Sequence, residues 1–142
     1  MHAVGEVVPV EAWEMLKSDP RAQLVDVRTT AEWAFVGVPD LHELGRKAVL
    51  IEWSEYPSMA RNGEFESLVE AQLKARGAGA DTPIVFICRS GARSLSAAKA
   101  MAAKGYSRCF NLTGGFEGDL DGAKHRGERN GWKHDGLPWT QT

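Results

Sequence analysis

Apolar, β-branched runs alternate along this chain with segments whose apolar positions recur every three or four residues. "GEVV" (5–8) predicts a short first strand. Pro9 suits a first helical position, and Val10, Trp13 and Leu16 then fall at i, i+3 and i+6 before "SDP" ends the helix. "QLVDV" (23–27) is a second strand of high β-propensity. In "TTAEW", Thr29 followed by Glu32 three residues on fits a capping box and starts a short helix. "AVLIEW" (48–53) reads as a third strand. "EFESLVEAQLKARG" sets Phe65, Leu68, Val69 and Leu73 on one helical face, with Gly77 at its C-cap. "TPIVFI" (82–87) is short, β-branched and free of charge, the pattern of a central parallel strand. The alanine-rich "SLSAAKAMAAKG" (94–105) predicts a helix able to lie close to a sheet, ended by Gly105. "CFNL" (109–112) is a fifth strand, broken sharply by "TGG".

Such alternation argues for an α/β layered fold with a mainly parallel sheet. The last thirty or so residues differ, because seven of the 15 glycines lie between positions 114 and 136. A short helix after Gly115 and then an irregular tail from about 120 are expected, the tail docking through Trp132, Leu137 and Trp139. A length of 142 residues, with no internal repeat, suits a single domain over 1–142.

Composition narrows the function classes. A hydrophobic fraction of 43%, a charged fraction of 25% and a net charge of −2 describe an ordinary globular protein. Nothing in that balance implies attraction to nucleic acid or to anionic lipid. The longest apolar runs fall far short of the roughly 20 residues that cross a bilayer. "MHAVGEVVPVEAW" lacks the pattern of a secretory leader, and two cysteines form no disulfide framework, so a reducing, cytoplasmic setting is expected.

The chemistry concentrates in "FICRSGARSLS" (86–96). In a parallel α/β sheet, ligands bind beyond the carboxyl ends of the strands, where helix N-termini point free amides outward. Cys88 follows the strongest strand, and the turn from Cys88 to Arg93 leads into the strongest helix. Its amides can converge just above the sulfur, and Gly91 gives the turn conformational latitude. A helix dipole, amide donors and two arginines favour thiolate over thiol, and the thiolate is the nucleophile. The plainer reading, a buried core cysteine with surface arginines, leaves that concentration of anion-binding features without a purpose.

"CRSGARS" resembles the active-site loop of the rhodanese (sulfurtransferase) family. "LVDVRTTAEWAFVG" is similar to that family's Asp-Val-Arg…Glu-Trp-x-x-Gly signature, and "NLTGGFEG" to its final strand and Gly-Gly turn. The three matches lie in order between residues 24 and 118. The resemblance implies a three-layer α/β/α fold with a five-stranded parallel sheet. It implies Cys88 as catalytic residue, with Arg89, Ser90, Gly91, Ala92, Arg93 and Ser94 cradling a persulfide. Asp26 and Arg28 become supporting residues that order the loop region. Cys88 to Arg93 is Cys-x4-Arg, whereas the phosphatases that share this fold use Cys-x5-Arg; the shorter loop fits a sulfane sulfur better than a tetrahedral phosphate. The implied reaction moves sulfur from a small donor such as thiosulfate to cyanide, a thiol or an acceptor protein, through a covalent cysteine persulfide and with no cofactor or metal. A persulfide carrier in a sulfur relay is the alternative, followed by a cysteine-based phosphatase or arsenate reductase. After Gly37 the chain reads "GVPDLHELGRKAVLIEW" and lacks the family's usual histidine, and 54–67 is expected to act as a lid or interaction surface.

Other residues invite plainer readings. Arg28 and Glu32, at i and i+4, can pair on a helix surface. Cys109 starts the strand beside the one that Cys88 follows, which separates the two thiols by roughly 15 Å, too far for the ~7 Å of a disulfide. His2, His42, His125 and His134 show no metal-ligand spacing and read as solvated loop residues. "KHRGERNGWKHD" is a mixed-charge stretch that can border the cleft and influence the choice of donor.

Overall fold

The computed structural model describes residues 3–141; Met1, His2 and Thr142 lie outside them. Strand β1 (Gly5–Val7) leads into helix α1 (Pro9–Ser18), with Pro9 at its first position. β2 (Gln23–Asp26) is followed by the short helix α2 (Thr30–Phe35). β3 (Val38–Pro39), a 3-10 turn at His42–Leu44 and β4 (Val49–Leu50) come next. β5 (Ser54–Glu55) and β6 (Ala60–Arg61) form a small hairpin before α3 (Phe65–Ala75). β7 (Ile84–Ile87), α4 (Ala92–Ala103) and β8 (Cys109–Leu112) complete the main fold, and β9 (Trp139–Thr140) ends the tail.

Five strands form one parallel sheet in the order β1-β8-β7-β2-β4, so the strand that precedes Cys88 is the central one. Its residues alternate between two cores. Ile84 and Phe86 face α3 and α4, among Phe65, Val69, Leu73 and Met101. Val85 and Ile87 face the other side, among Ala12, Leu16, Phe116 and Trp132. Burial on both faces is why "IVFI" is apolar at every position rather than at alternate ones. The result is the three-layer α/β/α arrangement with a five-stranded parallel sheet.

Several expectations need correction. "AVLIEW" pairs only at Val49 and Leu50; beyond them the backbone leaves the ladder, although the Ile51 and Trp53 amides still donate to the carbonyls of Asp26 and Val27. Val10 and Leu68 face solvent at 54% and 43% exposure, because their helices pack on Pro9, Ala12, Leu16 and on Phe65, Val69, Leu73. No helix follows Gly115: residues 113–138 run in turns and bends. These turns are fastened to the body by Trp132, which is fully buried, meets Trp13 edge-on at 6.0 Å and donates its indole N–H to the Pro138 carbonyl. β9 then pairs antiparallel with β3, and Trp139 stays 39% exposed. Among the described residues, no helix is long and apolar enough to cross a membrane.

Candidate active site

Cys88 follows β7 at the carboxyl end of the sheet and is almost wholly buried, at 1% exposure. The backbone N–H of Gly91 donates to its Sγ at 3.1 Å. Gly91 has φ +121°, a conformation that side-chain-bearing residues rarely adopt; although a Cβ would meet only ordinary contacts there, the turn needs glycine for its backbone. α4 begins at Ala92, so the open amides of its first turn lie at the loop.

The loop is also held from behind. Cys88 and Arg89 offer their carbonyls to the turn after β8: the Phe116 amide donates to Cys88 O at 2.8 Å and the Glu117 amide to Arg89 O at 3.0 Å. That clasp needs Gly115, where a Cβ would come within 2.5 Å of the Cys88 carbonyl oxygen.

Ser94, fully buried one turn into α4, completes the environment of the sulfur. Its Oγ lies 3.2 Å from Cys88 Sγ, 2.6 Å from Asn111 Oδ1 and 3.3 Å from the Gly91 carbonyl. A hydroxyl has one proton to donate, so these acceptors compete for it. Asn111, on β8, passes its own amide N–H to the Glu6 carboxylate at 3.1 Å. A polar chain therefore runs from Glu6 on β1 through Asn111 and Ser94 to the sulfur.

The two arginines of the loop have different surroundings. Arg93 makes a two-pronged pair with Glu32 of α2, at 2.8 and 2.9 Å. Burial alone would raise the Glu32 pKa, but the hydrogen bonds and charge of Arg93, joined by the Thr29 N–H and hydroxyl donors, outweigh it and hold the carboxyl at about 2. Donating these hydrogen bonds to Glu32 in turn raises the Arg93 pKa against the opposing effect of burial, with a smaller contribution from Cys88. Arg89 is exposed and forms no ion pair among the described residues. Ser90 is half-buried and Ala92 exposed, and neither side chain bonds to the sulfur.

Arg28 does not pair with Glu32. It is fully buried against Asp26, with Nη2 to Oδ2 at 2.7 Å, and it also donates to the Gly37 carbonyl and stacks 4.2 Å from the Phe116 ring. Asp26 and Arg28 thus tie the end of β2 to the Gly-Gly turn that clasps the Cys88 loop. Removing one partner of such a buried pair costs about 3–5 kcal/mol, because the other charge is left uncompensated.

Beside the loop lies a cavity of about 420 Å3, with Arg89, Arg93 and Arg126 on its rim next to Glu32 and Glu117. Val36 and Met59, the latter from the 54–67 segment, supply its apolar wall. A larger cavity of about 820 Å3 opens near Gln23, Pro39, Arg46 and Arg76. It includes no residue of the Cys88 loop, and its arginines are committed elsewhere: Arg46 to the carbonyls of Asp19 and Ala22, Arg76 to that of Lys47. The smaller cavity is the one that adjoins the Cys88 loop, through Arg89 and Arg93. Asn111, Glu117 and Arg126 were not singled out as site residues from the sequence; the only signal was the mixed-charge stretch around Arg126.

Comparison with known proteins agrees with the geometry. Residues 8–120 match the model of the Rhodanese-like domain. The crystal structure of Rv0390 from M. tuberculosis superposes with a TM-score of 0.86 at 44% identity, over 100% of both chains. An uncharacterised protein of Rickettsia conorii is 36% identical over 96% of this chain and 98% of its own. A sulfurtransferase of Allochromatium vinosum is 35% identical over 80% of this chain and 85% of its own.

Proposed function

The chain belongs to the rhodanese-like domain family, and on that premise we propose that it is a sulfurtransferase working through a persulfide on Cys88. The observation that carries this reading is the pair of donors, the Gly91 N–H and the Ser94 hydroxyl, directed at one buried sulfur at the end of the central strand. Such donors stabilise negative charge on sulfur, first as the Cys88 thiolate and then as the persulfide.

In the first step the thiolate attacks the outer sulfur of a donor such as thiosulfate. A bond forms between Cys88 Sγ and that sulfur, the donor's S–S bond breaks, and sulfite leaves with its electron pair. In the second, a thiol or cyanide attacks the terminal sulfur of the persulfide, and the Cys88 thiolate is regenerated. The two steps need no net oxidant, and no cofactor or metal enters them. Arg89, Ser90, Gly91, Ala92, Arg93 and Ser94 form the cradle, while Asp26 and Arg28 support it from β2.

The short loop favours this over phosphate chemistry. From Cys88 to Arg93 there are four intervening residues, and both the Cys88 and Arg89 carbonyls are held by the adjoining turn. Incubation with thiosulfate followed by intact-mass spectrometry tests the reading: a gain of about 32 Da on Cys88 is the expected persulfide. Absence of that gain together with turnover of a phosphate ester would overturn it. Loading with negligible turnover toward any small acceptor would favour a relay carrier.

A further inference from the structure

We propose that the cavity beside the Cys88 loop, lined by Arg89 and Arg93, takes a carboxylate-bearing organic thiol as the sulfur acceptor, and that Arg126 selects it. This rests on the persulfide reading and extends it to the substrate.

Size is the first argument. Water occupies about 30 Å3 in the liquid, so the 420 Å3 cavity has room for on the order of fourteen groups of that size. A thiosulfate ion, with only five heavy atoms, leaves much of that space unfilled. The remaining space suits a molecule with a carbon skeleton, and Val36 and Met59 give that skeleton an apolar wall.

Charge is the second. Arg93 spends its guanidinium on Glu32, so its fork is not open to a substrate. Arg89 carries an unpaired cation at the rim. Arg126 anchors only Nη1, to the Gly118 carbonyl at 2.7 Å, and keeps its other donors. Three arginines face two glutamates around the cavity, which leaves an excess of positive charge beside the Cys88 loop. A guanidinium offers parallel N–H donors that match a carboxylate in two-pronged fashion. The Gly118 bond fixes the arm that carries those donors, lowering the entropy lost when a substrate is held.

The third is origin. Arg126 lies beyond residues 8–120, the part of the chain that matches the family model. It reaches the site because the tail folds back over the Gly-Gly turn, where the Trp132 amide donates to the Gly115 carbonyl at 2.8 Å. Selectivity is thus added by the tail to a sulfur chemistry built elsewhere.

The step balances as follows. The acceptor thiolate attacks the terminal sulfur of the Cys88 persulfide; a new S–S bond forms on the acceptor while the Cys88 Sγ–S bond breaks, and its electron pair returns to Cys88. The acceptor leaves as an organic persulfide, with no net oxidation or reduction.

The test compares wild type with Arg126→Gln, which removes the charge but keeps a donor for the Gly118 carbonyl. Protein loaded with thiosulfate is mixed with mercaptosuccinate or with 2-mercaptoethanol, and loss of the persulfide is followed in a single turnover. The wild type is expected to prefer mercaptosuccinate, and R126Q to lose roughly tenfold of that preference, the scale of one charge-assisted contact. No preference in the wild type, or an unchanged ratio in R126Q, overturns the proposal. Alkylation of the unloaded thiol by iodoacetate against iodoacetamide reads the same selectivity without sulfur transfer: the ratio should fall in R126Q, and an unchanged ratio counts against Arg126. If Cys88 fails to load, the persulfide reading fails, and the alkylation ratio still decides whether the rim recognises carboxylates.

Discussion

Cys88 and Cys109 make an instructive pair. Both are free and both are 1% exposed; Cys109 begins β8, and Cys88 follows the end of the adjacent parallel strand β7. Cys109 lies opposite Ile84, at the amino end of β8, with Cys88 four residues farther along the neighbouring strand direction. Around Cys109 the sheet offers only apolar packing and the Tyr106 carbonyl, an acceptor, at 3.6 Å. Burial pushes the Cys109 thiol up to about 12, so it stays protonated and unreactive at neutral pH. Cys88, equally buried, has an amide and a hydroxyl directed at its sulfur. Degree of burial therefore does not distinguish the two thiols; what distinguishes them is the strand end they occupy and the sign of the dipoles that end presents.

The strongest way to break this contrast is to remove each thiol in turn. Cys88→Ser is expected to abolish both the thiosulfate mass gain and turnover, whereas Cys109→Ala keeps both and loses about 1 kcal/mol of stability, the common cost of a small core change. Loading that survives in the first variant, or vanishes in the second, would exchange the roles assigned to the two sulfurs. A smaller effect comes from Ser94→Ala. One hydrogen bond to a charged group is worth about 1.5–3 kcal/mol, so persulfide formation should slow roughly tenfold to a hundredfold, and the urea midpoint should fall because the buried Asn111 Oδ1 loses its partner. An unaltered rate would mean that the Ser94 proton stays on Asn111.

The smallest effect concerns Glu32, whose brace on Arg93 exists only on the Cys88 side. Its pKa is lowered from 4.5 to about 2, so its contribution to stability is present above about 4.5 and is lost as the pH falls toward about 2. Glu32→Gln should flatten the dependence of stability on pH across that acid window, as read from urea midpoints at about pH 5 and about pH 3. An equally steep fall in the variant would locate the acid sensitivity elsewhere.

Much of this architecture was legible in local patterns. The buried run 84–87, the Thr29–Glu32 capping box and the Pro9 helix start are each written within a few residues, and each appears as expected. What escaped depends on contacts between distant segments. Whether Val10 or Ala12 faces inward is decided by the helix's rotation against the sheet, which a stripe of three apolar residues leaves open. Asn111 sits in a strand whose pattern explains it equally well as packing, and its link to Ser94 and Glu6 arises only once β1, β8 and α4 meet. Arg28 illustrates the same limit: spacing offered Glu32 as partner, but both were claimed by other partners, Asp26 and Arg93. Arg126 is the extreme case, because its approach to the cavity depends on a turn-rich tail with almost no periodicity to read.

The clasp between the Gly115–Gly118 turn and the carbonyls of Cys88 and Arg89 has an evolutionary consequence. Because it grips backbone and not side chains, residues such as Arg89 and Ala92 can be exchanged without releasing the loop, leaving substrate preference free to drift while the sulfur stays in register. Length is not free in the same way. An extra residue between Cys88 and Arg93 would have to bulge away from a turn that admits not even a methyl group at Gly115. Lengthening the Cys88 loop on this scaffold would therefore require changes to two loops at once, a barrier that single insertions do not cross.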